Sequence, residues 1–292
     1  MKKYDICILL AGVCWGVIGL FSRSLMAMGL TTRGILIIRS GGCAVLFLAC
    51  AVVRGGGALK LRLKDIPLTL ALGLATFFFT YCYYLSIENG SLSAACVLMY
   101  SAPVFVMIFS LFLFREKFTR QKLLALLCAM AGCVLVSGLL EGASTGSTAG
   151  TVFGLLAGIG YATYSVCIKG LSLRGVGTLT MNIYSWLLCT LLGIVIFGPS
   201  QAAPAFQSAT SWLLTVGICV ISGFLPALLY SYGLSGTEAG KGAVMATTEP
   251  VVASLAGLVY HEIPSVPGVI GILLVLGAVV LLNIKLPGKK KE

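Results

Sequence analysis

Two stretches of this chain carry nearly the same segment 146 residues apart, and this duplication restricts the fold more than any other feature. Leu9-Leu10-Ala11-Gly12-Val13-Cys14-Trp15 reappears as Leu155-Leu156-Ala157-Gly158-Ile159-Gly160-Tyr161, each followed by a basic residue in register, Arg23 and Lys169. A second pair repeats at nearly the same shift, Val97-Leu98-Met99-Tyr100-Ser101-Ala102-Pro103 against Val244-Met245-Ala246-Thr247-Thr248-Glu249-Pro250. The chain is a doubled unit, and the character of the unit decides how the copies sit.

That character is apolar. Hydrophobic residues make up 59% of the chain, charged residues 10%, and mean hydropathy is +1.04, which excludes a soluble globule of 292 residues. From Gly175 to Thr237 there is no Asp, Glu, Lys, Arg or His, room for two membrane spans and their connection. Apolar runs between charge and turn clusters predict ten spans: 5–25, 32–53, 66–86, 91–114, 120–140, 149–169, 178–197, 211–232, 239–260 and 267–285. Such segments satisfy their own backbone in lipid as helices, and the period-2 pattern of a barrel strand is absent. The expected fold is therefore all-α and integral to the membrane. It divides into two five-helix repeats, residues 1–145 and 146–292, at the Gly/Ser/Thr-rich connection 141–150. Because five is odd, the copies are expected to be inverted with respect to the bilayer.

The net charge of +11 agrees with this topology and needs no nucleic acid to explain it. With a cytoplasmic N-terminus, 17 of the 20 basic residues fall in inside loops and tails, among them Lys2, Arg54, Lys64, Arg174 and the Lys289-Lys290-Lys291 tail. Both termini are expected in the cytoplasm, and the Lys2-Lys3 start reads as part of an uncleaved first helix. Almost all of the 11 cysteines lie in apolar helices, where Cys acts as a small hydrophobe.

These residues resemble the drug/metabolite transporter superfamily of ten-helix carriers, in its EamA-type branch, over essentially the whole chain. The resemblance rests on Trp15-Gly16 followed by Arg23, on Arg39, on Tyr100-x-x-Pro103 leading to Arg115-Glu116, and on Glu249-Pro250 leading to His261-Glu262. The family's usual Gly-Glu ending of spans four and nine is Arg115-Glu116 and His261-Glu262 here. The resemblance implies a multi-pass carrier of the plasma membrane, a monomer or weak homodimer, with membrane lipid around it. It would move a small organic solute such as an amino acid, metabolite or drug, by export, with protons as a candidate coupling ion and no cofactor. Uptake or uncoupled facilitation on the same fold is the alternative.

Glu249 is the sharpest candidate, because an ionisable side chain near mid-membrane is costly and marks function by default. Its repeat partner is Ala102. It reads either as a proton- or cation-coupling group or as a structural acid paired with Arg39 or with backbone loosened before Pro250, and the resemblance favours the second. Pro103 and Pro250 are expected to kink spans four and nine, as gating points or as static shapers of a cavity. Trp15, Tyr81, Tyr83, Tyr84, Tyr100, Tyr161, Tyr164 and Tyr230 are expected to line that cavity with apolar surface and hydrogen-bonding tips. Arg39 is expected to lock helices together. A membrane enzyme would need clustered His, Cys or carboxylates. His261 is the only histidine, no metal site is expected, and no nucleotide-binding loop occurs.

Overall fold

Residues 2–90, 92–138, 147–261 and 263–284 are described in a computed structural model, and every regular element among them is helical. The connection residues 141–146, Glu262 and the Lys289-Lys290-Lys291 tail lie outside the described residues. Among the described residues, nine helical segments are long and apolar enough to cross a membrane: Lys3–Ala27, Thr32–Val53, Leu63–Glu88, Ala94–Phe114, Thr148–Leu173, Thr178–Phe197, Ala209–Gly236, Ala239–Val259 and Val266–Asn283. They match nine of the ten predicted spans. The predicted span 120–140 is described as a helix only over Arg120–Val136, 17 residues long, its last two predicted residues lying outside the described part. Large apolar side chains cover the perimeter, with Val53, Val195 and Phe112 each more than three-quarters exposed, as suits contact with lipid.

The helices start where hydroxyls satisfy their free N–H groups. Thr31 accepts from Gly34 N at the start of α3 (Thr32–Val53), and Thr119 from Lys122 N at α7 (Arg120–Val136). Ser147 accepts from Gly150 N at α8 (Thr148–Leu173), and Ser265 from Gly268 N at α14 (Val266–Asn283). Glycines then set how closely the helices approach. In α7 and α14, the carbonyl of Gly271 lies where a Cβ on Gly132 would stand, and the carbonyl of Gly132 does the same to Gly271.

Spans four and nine are broken at the prolines expected to kink them, span eight is interrupted as well, and proline explains where. A proline at position i cannot donate to the carbonyl at i−4. Pro103 leaves Met99 without its partner, and α5 (Leu92–Met99) ends there before α6 (Ala102–Phe114) begins. Pro250 does the same to Ala246, the last residue of α12 (Ala239–Ala246), before α13 (Thr248–Ala256). Pro226 would have bonded Ser222, and there the chain widens into a π turn over Val220–Phe224 between α10 (Ala209–Cys219) and α11 (Leu225–Gly236). The first span also divides, at Val17, into α1 (Lys3–Gly16) and α2 (Ile18–Ala27). The spans α4 (Ile66–Glu88) and α9 (Thr178–Phe197) run without a break.

The repeated segments pack in equivalent ways. A Cβ on Gly12 of α1 would collide with the Thr248 hydroxyl and press on the Ala246 carbonyl; a Cβ on Gly158 of α8 would collide with the Ser101 hydroxyl and press on the Met99 carbonyl. Each glycine thus lets the first helix of one repeat lie against the carbonyl freed by proline in the other.

The helix ends after these breaks are also paired. Arg115 (φ 53°) and His261 (φ 60°) are the two non-glycine residues in the left-handed region among the described residues, at repeat-equivalent positions. A side chain in this conformation costs on the order of 1 kcal/mol, which glycine avoids. Replacing Arg115 by glycine is expected to raise the thermal midpoint, corresponding to a gain of about 0.5 kcal/mol after the entropy lost by glycine on folding. A lowered midpoint would contradict the strain. The turn at Arg115 sends Glu116 back across the bundle. Its carboxylate accepts from Ala239 N at 2.7 Å and Gly240 N at 3.2 Å, capping the start of α12 in the other half of the chain.

Candidate functional site

The two broken spans supply the centre of the site. Glu249 stands in the first turn of α13, and Ala102 and Pro103 open α6. The two breaks face each other: a gap of about 10 Å³ is lined by Tyr100, Ala102, Pro103, Thr247 and Glu249, together with Tyr161. Both half-helices present amino ends at their breaks, where partial positive charge favours an anion. The phenol of Tyr100 lies against the Glu249 carboxyl.

On one side of Glu249 opens a cavity of about 320 Å³, within the size range of small-molecule sites. Trp15, Tyr83, Cys96, Tyr100, Cys133 and Glu249 form its wall, and the Tyr83 hydroxyl and Cys96 thiol lie 2.9 Å apart. The cavity reaches the end of the bundle where α7 finishes at Ser137 and Gly138 and the chain enters α14 through Ile263, Pro264 and Ser265. On the other side of Glu249 is a smaller cavity of about 60 Å³, lined by Arg39, Phe79, Tyr84, Tyr161, Tyr164 and Trp186 among others. Arg39 is 8% exposed, with its guanidinium 5.7 Å from the centre of the Trp186 ring and the Tyr84 phenol beside it. No direct ion pair joins Arg39 to Glu249 among the described residues; they are the two charges facing one enclosed space. Glu249 lines all three spaces.

Aromatic rings form the floor. Trp15 meets Tyr161 edge-on at 6.2 Å and Tyr230 at 5.2 Å, while Tyr161 and Tyr164 both contact Phe79. Tyr230 is fully buried behind this layer, stacked on Tyr164 at 6.1 Å and with its hydroxyl 2.9 Å from that of Ser165. The predicted lining is therefore brought together except at Tyr230, which supports it from behind, and at Tyr81. Tyr81 points to a separate cluster, packing on Phe77 at 5.8 Å and Phe197 at 5.0 Å. Successive helical residues face about 100° apart, so of three tyrosines at 81, 83 and 84 not all can face one cavity.

At the opposite end of the bundle, charged side chains bridge the helices. Asp5, 2% exposed, accepts from Lys241 Nζ at 3.0 Å and the Thr237 hydroxyl at 2.9 Å, and Lys241 also reaches Asn283 at 3.1 Å. These contacts tie α1, α12 and α14 together. Lys169, from α8, donates to the carbonyls of Leu234 at 3.0 Å and Thr237 at 2.8 Å at the end of α11, and Lys122 pairs with Glu238 at 2.6 Å. Together with Glu116 on the α12 amino end, the network joins both halves of the chain at this end.

The sequence model of the EamA-like transporter family matches residues 2–138 and, a second time, residues 148–284. The chain belongs to the EamA-like transporter family. It is a membrane transporter of the drug/metabolite transporter superfamily, as the sequence motifs implied. This EamA-like chain is 28% identical over 267 residues to an uncharacterized transporter of Archaeoglobus fulgidus, covering 89% of this chain and 88% of the relative. It is 26% identical over 224 residues to the pseudopaline exporter CntI of Pseudomonas aeruginosa, covering 74% of this chain and 76% of that protein. A solved crystal structure superposes over 95% of each chain with a TM-score of 0.79 at 19% identity, a likeness of fold.

Phe79, Cys96, Cys133 and Trp186 are among the residues in the site of this EamA-like transporter that are not foreseen from its sequence. None carries a charge or breaks the apolar pattern of its span. The one available hint concerns Phe79, which sits inside the aromatic run of the third span from Phe77 to Tyr84.

Proposed function

We propose that this chain is a secondary carrier that moves a small organic solute across the plasma membrane by alternating access. Ten spans form two inverted five-helix halves, residues 1–145 and 146–292, with α7 as the fifth span and both termini in the cytoplasm. The reading is supported by the equivalent contacts of Gly12 and Gly158, by the paired breaks before Pro103 and Pro250, and by basic residues gathered at the end that carries Lys3, Arg54 and Arg174. In this orientation the 320 Å³ cavity faces outside and the Asp5–Lys241 network faces the cytoplasm. Export is the favoured direction, consistent with the name of the CntI relative.

The observation that carries the proposal is Glu249 at the meeting of three spaces, between an open cavity and an end bridged by charge. An acid in that position binds a cationic part of the solute or a proton, while Trp15, Tyr83, Tyr100 and Tyr161 take the apolar part. Rocking about the two breaks would open the charged end and close the other. A second reading, an uncoupled facilitator with a structural Glu249, is favoured by Arg39 facing the same enclosed space.

Flux into liposomes of amino acids, aromatic metabolites and cationic drugs identifies the solute. That solute is expected to slow alkylation of Cys96 and Cys133, which line the cavity, without changing the rate at Cys50 on α3. Peptide-resolved mass spectrometry reads both. Unchanged rates at Cys96 and Cys133 under a transported solute would remove the solute from this cavity.

A further inference from the structure

A second cleft, of about 540 Å³, opens on the perimeter between the end of α3, the start of α9 and the end of α11, away from the Glu249 cavity. Its polar groups are Arg54, Thr178, Thr180 and Tyr232; Leu179 and Leu229 belong to its apolar part. The α9 amino end is capped by Gly177, which has no side chain to satisfy the free N–H groups of the first turn. Such an end attracts anions.

Two further observations point to a ligand. Thr180 is 7% exposed and lines the cleft, and its hydroxyl has no hydrogen-bond partner among the described residues. The hydroxyl of this nearly buried residue keeps access to the cleft, where a ligand can reach it. Arg54 is exposed and has no acidic partner among the described residues, and the whole stretch from Gly175 to Thr237 contains no acidic side chain to supply one. Lys3 stands beside Tyr232 at the rim and adds a second cation.

We propose that this cleft binds the phosphate of an anionic phospholipid: Arg54, the Thr180 hydroxyl and the amino end of α9 hold the headgroup, and Leu179 and Leu229 receive the upper acyl chain. The neighbours of Arg54 favour a lipid over a soluble phosphate. Val52 and Val53, which precede it on α3, are 66% and 87% exposed, so the cleft borders the lipid-facing surface. In the orientation proposed above it lies at the cytoplasmic leaflet, where anionic lipids gather basic side chains. The site does not depend on the identity of the transported solute.

The test is native mass spectrometry and thermal melting of the purified full chain in neutral detergent, titrated with phosphatidylglycerol, phosphatidylcholine or inorganic phosphate. Phosphatidylglycerol is expected to bind roughly tenfold more tightly than phosphatidylcholine, as a charge-assisted contact of this kind supplies. Arg54→Gln and the shape-conserving Thr180→Val are each expected to remove most of that preference, whereas Lys60→Gln, at the same end but outside the cleft, leaves it intact. Melting without added lipid shows that each variant is folded. Equal binding of the two lipids would overturn the proposal, as would equal losses in Arg54→Gln and Lys60→Gln, which indicate diffuse attraction. Inorganic phosphate that stabilises the protein as well as phosphatidylglycerol would overturn the lipid assignment.

Discussion

Lys241→Met is expected to lower the unfolding free energy of the purified transporter by about 3 kcal/mol, because it strands a buried carboxylate. Asp5 is 2% exposed and keeps only the Thr237 hydroxyl and the Lys2 amide once the ammonium is gone. The side-chain oxygen of Asn283 loses its donor at the same time, while its amide nitrogen still donates to the Val279 carbonyl. The partly solvated position of Lys241, whose side chain is 21% exposed, keeps the cost at the lower end for a buried pair. Asp5→Asn in the same chain removes the stranded charge while still accepting from Thr237, so the double variant is expected to recover at least half of the loss. Denaturation in mixed micelles reads both steps. Stability unchanged in Lys241→Met would show that α1, α12 and α14 are held together by packing alone.

The pair also bears on conformation. If the contact exists only while this end is shut, its loss shifts the balance toward the state open at that end by the same free energy, a factor of about 10² at 3 kcal/mol.

Much of this architecture is legible in the residues because a few of them impose geometry rather than preference. Nine predicted spans correspond to apolar helices, since length and hydropathy fix them in lipid. The positions of the breaks also follow from sequence once the arithmetic is done. Pro103, Pro226 and Pro250 each free the carbonyl four residues earlier, and Met99, Ser222 and Ala246 are where regular helix gives way. Pro226 is a weak signal in the sequence because span three has no matching proline, yet it marks the π turn that brings the Ser222 hydroxyl to the Cys14 carbonyl at 3.2 Å. In the sequence Gly12 and Gly158 are simply members of the repeated segment; only the three-dimensional arrangement shows that each lies near a freed carbonyl of the other repeat.

Side-chain direction is less legible. Tyr81 turns away from the cavity while Tyr83 and Tyr84 face its two compartments, a matter of helical phase that no composition argument resolves. The charged network is hidden for a different reason. Asp5, Lys169, Glu116 and Lys241 lie near helix ends, where charges ordinarily meet water, and only folding shows that they meet one another or helix termini. Asn182 behaves as its type suggests, donating across helices to Ser231 at 2.8 Å.

Glu249→Gln is expected to have the largest effect on transport. The substitution keeps the shape of the side chain and its contact with Tyr100 but removes the ionisable group that the three spaces share. Loss of a charge-assisted contact to a solute or proton corresponds to a decrease of roughly tenfold or more in flux. A structural acid would behave differently, because glutamine fills the same volume and can still hydrogen-bond to Tyr100 or to the loosened backbone before Pro250. The decisive measurement is solute flux in liposomes for the folded wild-type and Glu249→Gln proteins, with and without a pH gradient. Wild-type flux is expected to be saturable and driven by the gradient, and the variant to lose roughly tenfold or more of it with no remaining response to pH. Full, gradient-dependent flux in folded Glu249→Gln would contradict a functional carboxylate at the meeting of the two halves.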